Sequence, residues 1–197
     1  MIVDFKEKLK EIGVRVFNSS LTLNQVFSGG KPIEEFSQRE ILEKIVRQYY
    51  IAKEELDETL KAIEENDIIE EFDGLIDVMV TVPYFDYLLD LSGIPQLKEV
   101  KEYKQLIDDS KALLRDEKIN LDVLEKCADL IIENNASKYT TNKEEFDSWK
   151  TKHQRHSCVI DGVTYYYLLD ENAKGRKHDD FKNVDLSWII GELTEEV

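Results

Sequence analysis

Two long segments of helical periodicity, joined by a very short connection at Asn66, constrain this chain most. Ser37 and Glu40 form an S-x-x-E capping box, the pattern in which two orphan donors of a helix start satisfy each other. Ile41, Leu42, Ile45, Val46, Tyr49, Leu56, Leu60 and Ile63 then recur at helical spacing, which predicts a helix to about Glu65. Asp67 and Glu70 repeat the capping pattern and predict a second helix from Ile68 to about Leu91, ended by Ser92-Gly93. So short a link makes the two helices antiparallel neighbours. Pro83 lies inside the second; its missing N–H frees the carbonyl of Met79 and predicts a kink there.

The rest of the chain reads as shorter elements. A first helix is expected over Phe5 to Ile12, then an irregular stretch from Asn18 to Pro32 that turns at Ser28-Gly29-Gly30. Pro95 to Arg115 reads as a charged amphipathic helix, and further helices are expected from Leu121 to Asn134, near Thr141, and from Asp185 to Leu193. Val159-Ile160, the Asp161-Gly162 turn and Val163 to Leu169 predict a small β-hairpin. The expected fold class is therefore mainly α with a small C-terminal β-hairpin. Residues 1–135 form the helical bundle, and residues 136–197 form an extension packed on the same domain.

Composition narrows the function classes. A chain of 197 residues with 42% hydrophobic content can bury a real core, so an acidic disordered tail is excluded. The net charge of −16 repels polyanions, which argues against nucleic acid polymers and anionic membrane faces as partners. No apolar run is long enough to span a bilayer, and the segment from Met1 to Lys6 lacks the apolar core of a signal peptide. Cys127 and Cys158 have no zinc or disulfide spacing and read as ordinary thiols. The expected location is the cytoplasm, the host's if the chain is viral.

The two facing helices carry the informative side chains. Residues three or four apart share a helix face, so Glu55 pairs with Glu58, and Glu70, Asp73 and Asp77 form one stripe. Antiparallel packing lets both stripes converge. From Gly74 to Phe85, Asp77 is the only charge in an apolar segment, where a lone carboxylate is costly unless a cation accompanies it. A set of Asp and Glu without His or Cys suits Mg²⁺, with Mn²⁺ as a substitute. Glutamates on the helices of an acidic chain are ordinarily solvated, and Glu54 and Glu64 fit that reading.

Glu54-Glu55-Leu56-Asp57-Glu58 followed by Glu70-Glu71-Phe72-Asp73 resembles the E-E-x-x-E … E-x-x-D signature of the all-α nucleoside triphosphate pyrophosphohydrolases, the MazG-like superfamily. Asp73-Gly74-Leu75-Ile76-Asp77 is similar to the D-a-l-x-D run of the phage and phosphoribosyl-ATP-pyrophosphohydrolase-like branch. Asn135-Ala136-Ser137-Lys138 resembles that branch's N-M-S-K segment, and Ala173-Lys174-Gly175-Arg176-Lys177 its G-K-x-x-K segment. The resemblance covers roughly 37–93 and 134–193; the helix near 98–115 looks like an insertion, and Pro83 also departs from the pattern.

The resemblance implies an all-α bundle of that type, Mg²⁺ dependence, and hydrolysis of a nucleoside triphosphate, a deoxynucleoside triphosphate by preference, to the monophosphate and pyrophosphate. It also implies a homodimer or homotetramer. Glu55, Glu58, Glu70, Asp73 and Asp77 would hold the metal, which neutralises the triphosphate and activates water. Glu54 and Glu55 are the candidates for the catalytic base. Asn135, Lys138, Lys174, Arg176 and Lys177 would bind substrate, against the plainer readings of surface lysines and of Asn135 as a helix cap. His153, His156 and His178 have no metal spacing with the acids, and Gly29-Gly30 lacks the Lys-Ser/Thr of a phosphate-binding loop. A rival reading is a non-catalytic acidic helical protein that binds nucleotides or mimics DNA to inhibit a partner; it requires carboxylates spread over a convex surface rather than gathered in one cleft.

Overall fold

The computed structural model describes residues 5–115, 118–181 and 184–194. Helices α1 (Phe5–Phe27), α2 (Gln38–Glu65), α3 (Ile68–Leu91), α4 (Lys101–Leu113), α5 (Leu121–Ala136), α6 (Lys143–Ser148) and α7 (Trp188–Thr194) dominate. Strands β1 (Tyr139–Thr140), β2 (Gln154–Ile160), β3 (Val163–Leu169) and β4 (Gly175–Arg176) form one antiparallel sheet. The fold is mainly helical with a small sheet near the C-terminus. Among the described residues, no helix is long and apolar enough to cross a membrane.

The chain divides into two compact units that are discontinuous in sequence. A helical unit takes residues 1–17, 37–129 and 185–197, and a sheet unit takes 18–36 and 130–184. The division is thus not a single step at residue 135. The segment 18–36 belongs with the sheet, and the final helix belongs with the bundle.

In the helical unit, the α2–α3 hairpin forms as its caps dictate. The Ser37 side chain accepts from the Glu40 amide while the Ser37 amide donates to Glu40 Oε2 at 2.7 Å. At α3 the Asp67 carboxylate accepts from the Glu70 amide at 3.2 Å. Asn66 turns the chain in the left-handed conformation (φ 56°), and the Asp67 amide donates to the Ala62 carbonyl at 2.9 Å. Helix α3 runs through Pro83 and is apolar nearly all round, so it is the buried centre of the unit, with Ile76, Val78, Phe85 and Leu88 fully enclosed. Tyr103 of α4 packs on Tyr49 of α2 and Phe85 of α3, with ring centroids 4.9 and 5.1 Å away. Lys8 and Arg15 of α1 pair with Asp122, Glu125 and Asp129 of α5.

Three expectations for the elements need correction. Helix α1 does not stop near Ile12; only Ser28-Gly29-Gly30 and the residues after it leave the helix. Asn, Ser and Thr ordinarily favour breaks, but here Thr22 Oγ1 donates to the Asn18 carbonyl and Asn24 Nδ2 to the Ser20 carbonyl, bonds that fit inside a helix. Ile12, Val16, Ser20 and Val26 are buried, which repays the continued helix. The stretch from Pro95 to Arg115 is two pieces, a 3-10 turn at Pro95–Glu99 and α4, parted at extended Val100. The hairpin is longer than expected, because β2 pairs with β3 from Gln154↔Leu169 to Ile160↔Val163. β1 and β4 share the other edge of β3, at Tyr166–Tyr167 and Leu168–Leu169.

In the sheet unit, Val26, Cys158 and Tyr167 form a core with Phe27 and Tyr165 against it. A second core joins Phe146, Trp149 and Leu168. Gly30 sits at φ 82°, where an added Cβ would lie 2.9 Å from the Val159 carbonyl oxygen. Gly30→Ala is expected to destabilise through both the left-handed backbone and this clash. Amide exchange should show lowered protection in β2 and β3 while α2 and α3 keep theirs. Ser37→Ala should do the converse, costing about 1 kcal/mol and fraying only the start of α2.

Candidate functional site

The closest approach of α2 and α3 sets the positions of the acidic residues. Thr59 is fully buried and its hydroxyl donates back to the Glu55 carbonyl at 2.6 Å. A Cβ placed on Gly74 would lie 3.1 Å from Thr59 Cβ and 3.2 Å from its Cα, and closer still to the hydroxyl oxygen. Only a glycine lets the backbone of α3 come this near.

Thr59 and Gly74 therefore mark the contact line between two antiparallel helices. With about 100° of rotation per residue, Glu55 lies roughly 40° and Glu58 roughly 100° from that line on α2. On α3, Glu70 lies roughly 40°, Asp77 roughly 60° and Asp73 roughly 100° from it, all in the same rotational sense. In an antiparallel pair, equal senses fall on the same flank. At about 1.5 Å rise per residue, the order along the pair is Glu55, Asp77, Glu58, Asp73, Glu70, a row about 12 Å long. The packing thus lines up the five carboxylates selected from the sequence. Glu55, Asp73 and Asp77 are half-buried, while Glu58 and Glu70 are exposed. Glu54 is exposed and falls behind the contact line, as the solvated reading of that residue has it.

Neighbouring groups tune this flank. Burial, and secondarily the Asp73 carboxylate, push the Cys127 thiol of α5 up to about 12, so it stays protonated and offers no thiolate. Asp57, the other acid of the α2 signature, is ion-paired to Lys53. Glu70 lies in the first turn of α3, where the helix dipole favours a negative charge. Among the described residues, no group of three or more Asp, Glu, His or Cys side chains stands ready-made to hold a metal ion. The donor chemistry of the row, all carboxylate oxygen, nonetheless fits a hard cation.

In the sheet unit the predicted basic residues divide into two kinds. Lys138 Nζ donates to Asn135 Oδ1 at 2.6 Å, and Lys177 Nζ donates to Asn134 Oδ1 at 2.8 Å. Two segments some forty residues apart thus meet on adjacent asparagines at the end of α5, with Lys177 also 4.0 Å over the Phe181 ring. Asn135 therefore holds a lysine as well as lying beside the helix end. Arg176 is instead engaged by Asp170, with Nε at 2.8 Å and a terminal nitrogen at 2.6 Å from Oδ2. Asp170 Oδ1 accepts from the amides of Asn172 and Lys174, both at 2.9 Å, so this aspartate closes the turn that presents exposed Lys174. The Lys174 amide first, then Arg176 and the Asn172 amide, hold the Asp170 carboxyl below the usual carboxylate range.

Thr59, Gly74, Asn134 and Asp170 were not singled out from the sequence. An isolated glycine inside a strongly helical segment was the one available signal, since such a glycine ordinarily has a packing reason. Nothing local marks Thr59 or Asn134, because their partners lie elsewhere in the chain, whereas Asp170 bonds residues two to six positions on. Comparison with protein-family models, with curated proteins and with solved structures finds no match to this chain.

Gly74→Val should force the hairpin apart, because the added carbons meet the hydroxyl and Cβ of buried Thr59, with its Cα close behind at 3.2 Å. A loss of at least 1–3 kcal/mol is expected, roughly the overpacking range, read as a lowered denaturation midpoint. Thr59→Ala in the same chain should recover part of it. Asp170→Asn should loosen the 170–176 turn at neutral pH. A depressed folded-state pKa gives stability that is present above the unfolded value, so wild type should lose this advantage over the variant only as pH falls below about 4. Thermal melts of both proteins across that range check the sign.

Proposed function

We propose that this protein hydrolyses a nucleoside triphosphate, a deoxynucleoside triphosphate by preference, to the monophosphate and pyrophosphate in the presence of Mg²⁺. The observation that carries the reading is the Thr59–Gly74 contact, from which regular helix geometry puts Glu55, Asp77, Glu58, Asp73 and Glu70 on one flank of the α2–α3 hairpin. A bound divalent ion would supply charge neutralisation for the triphosphate and a lowered pKa for an attacking water. Half-buried Asp77 and Glu55 are the residues best placed to hold it, with Asp73, Glu58 and Glu70 further along the row.

The roles of the chain's own groups follow. A carboxylate takes the proton of the attacking water; of the two candidates, Glu55 lies within the row, whereas Glu54 is exposed behind the contact line. By the sequence resemblance, Lys138 and Lys177, hydrogen-bonded to Asn135 and Asn134, and exposed Lys174 would supply the cationic donors for phosphate oxygens. Arg176 supports the Lys174 turn through Asp170. Assembly into a homodimer or homotetramer is part of the same reading and rests on the sequence resemblance.

The decisive assay follows nucleotide products by chromatography over a panel of ribo- and deoxyribonucleoside triphosphates with Mg²⁺ or Mn²⁺. Monophosphate and pyrophosphate are expected; a diphosphate product sinks the assignment. If no triphosphate is turned over, the rival reading of a non-catalytic acidic protein takes its place. Calorimetry with Mn²⁺ should show binding that Asp77→Asn weakens by about tenfold or more, at least what the loss of a supporting residue costs at a metal site. Lys138→Ala/Lys177→Ala should raise KM or lower kcat while Mn²⁺ affinity of the free protein is unchanged.

A further inference from the structure

A groove of about 600 Å³ lies in the helical unit away from the acidic row, between α1, α3 and the end of α4. Its floor is apolar: Leu9 of α1, Met79 and Pro83 of α3, and Leu114 after α4. Gly13 leaves the α1 wall without a side chain, and even an added Cβ would only reach van der Waals contact with Met79 Cε at 3.6 Å. Its rim is cationic, formed by Lys6, Lys10 and Arg115.

This charge distribution is unexpected for the chain. The chain has 42 acidic and 26 basic residues, yet among the described residues that line this groove three are cationic and none is acidic. The other cations of α1, Lys8 and Arg15, face α5 and pair with Asp122, Glu125 and Asp129, so they do not account for the rim. An open groove of this size with an apolar floor has room for a mainly apolar small molecule oriented by a few polar groups. The cations select the charge of the polar end.

We propose that this groove binds a small amphipathic anion, an unbranched alkyl chain ending in a carboxylate, with the chain over Leu9, Met79, Pro83 and Leu114 and the head at Lys10 and Arg115. The site is separate from the carboxylate row and does not depend on the proposed hydrolysis. No covalent step is involved.

The test is calorimetric titration of the full chain with dodecanoate, alongside dodecyltrimethylammonium, acetate and an acidic amphipathic peptide. Dodecanoate should bind with one site per chain, while the alkyl cation and acetate should not bind measurably. Lys10→Glu/Arg115→Glu should weaken dodecanoate at least tenfold. Gly13→Leu, which replaces glycine in a helix and fills the groove, should abolish binding. Circular dichroism melts of each variant establish that it is folded. Equal binding of the two alkyl amphiphiles, or wild-type affinity in both folded variants, overturns the proposal. Binding of the peptide without binding of dodecanoate overturns it in favour of a protein partner.

Discussion

The contact between Thr59 and Gly74 governs the helical unit. Backbone approach this close is possible because one helix lacks a side chain and the other presents a small one whose hydroxyl is satisfied by its own helix, at the Glu55 carbonyl. With that contact made, the rotation of both helices is settled. Apolar faces turn inward and Tyr49 and Phe85 meet Tyr103, while regular helix geometry puts five carboxylates on one flank. The acidic row and the core are two results of the same rotation.

Charge is handled differently in different parts of the chain. Along α1 and α5, opposite charges meet directly, and along α2 the Lys53–Asp57 and Lys61–Glu65 pairs absorb acids outside the row. Exposed pairs of this kind contribute at most about 1 kcal/mol each, so they tune solubility and local order more than the fold. The groove of α1, α3 and α4 has the opposite balance, with cations around apolar side chains.

The sheet unit is held by contacts distant in sequence. Cys158 Sγ lies 3.7 Å from the Val26 carbonyl, Phe27 and Tyr167 pack with centroids 5.7 Å apart, and Gly175 leaves room for the Phe27 ring. Arg155 donates to the carbonyls of Phe146 and Trp149 and so fastens the end of α6 to the sheet. These contacts explain why a segment read as irregular from its Asn, Ser and Thr content is helix and core.

What the sequence determined by itself was local. The S-x-x-E box, the short link at Asn66 and the apolar period fix α2, α3 and their antiparallel order, because caps and periodicity act within a turn or two of the chain. The choice of Glu55, Glu58, Glu70, Asp73 and Asp77 as a group rests on the same local spacing. Tertiary structure alone decided the rest. Which flank the acids share depends on the Thr59–Gly74 contact. The pairing of Lys177 with Asn134 and the seating of β1 on the edge of β3 each need a partner brought from elsewhere in the chain. The continuation of α1 to Phe27 was decided by burial of Val16, Ser20 and Val26, an energy no local propensity contains.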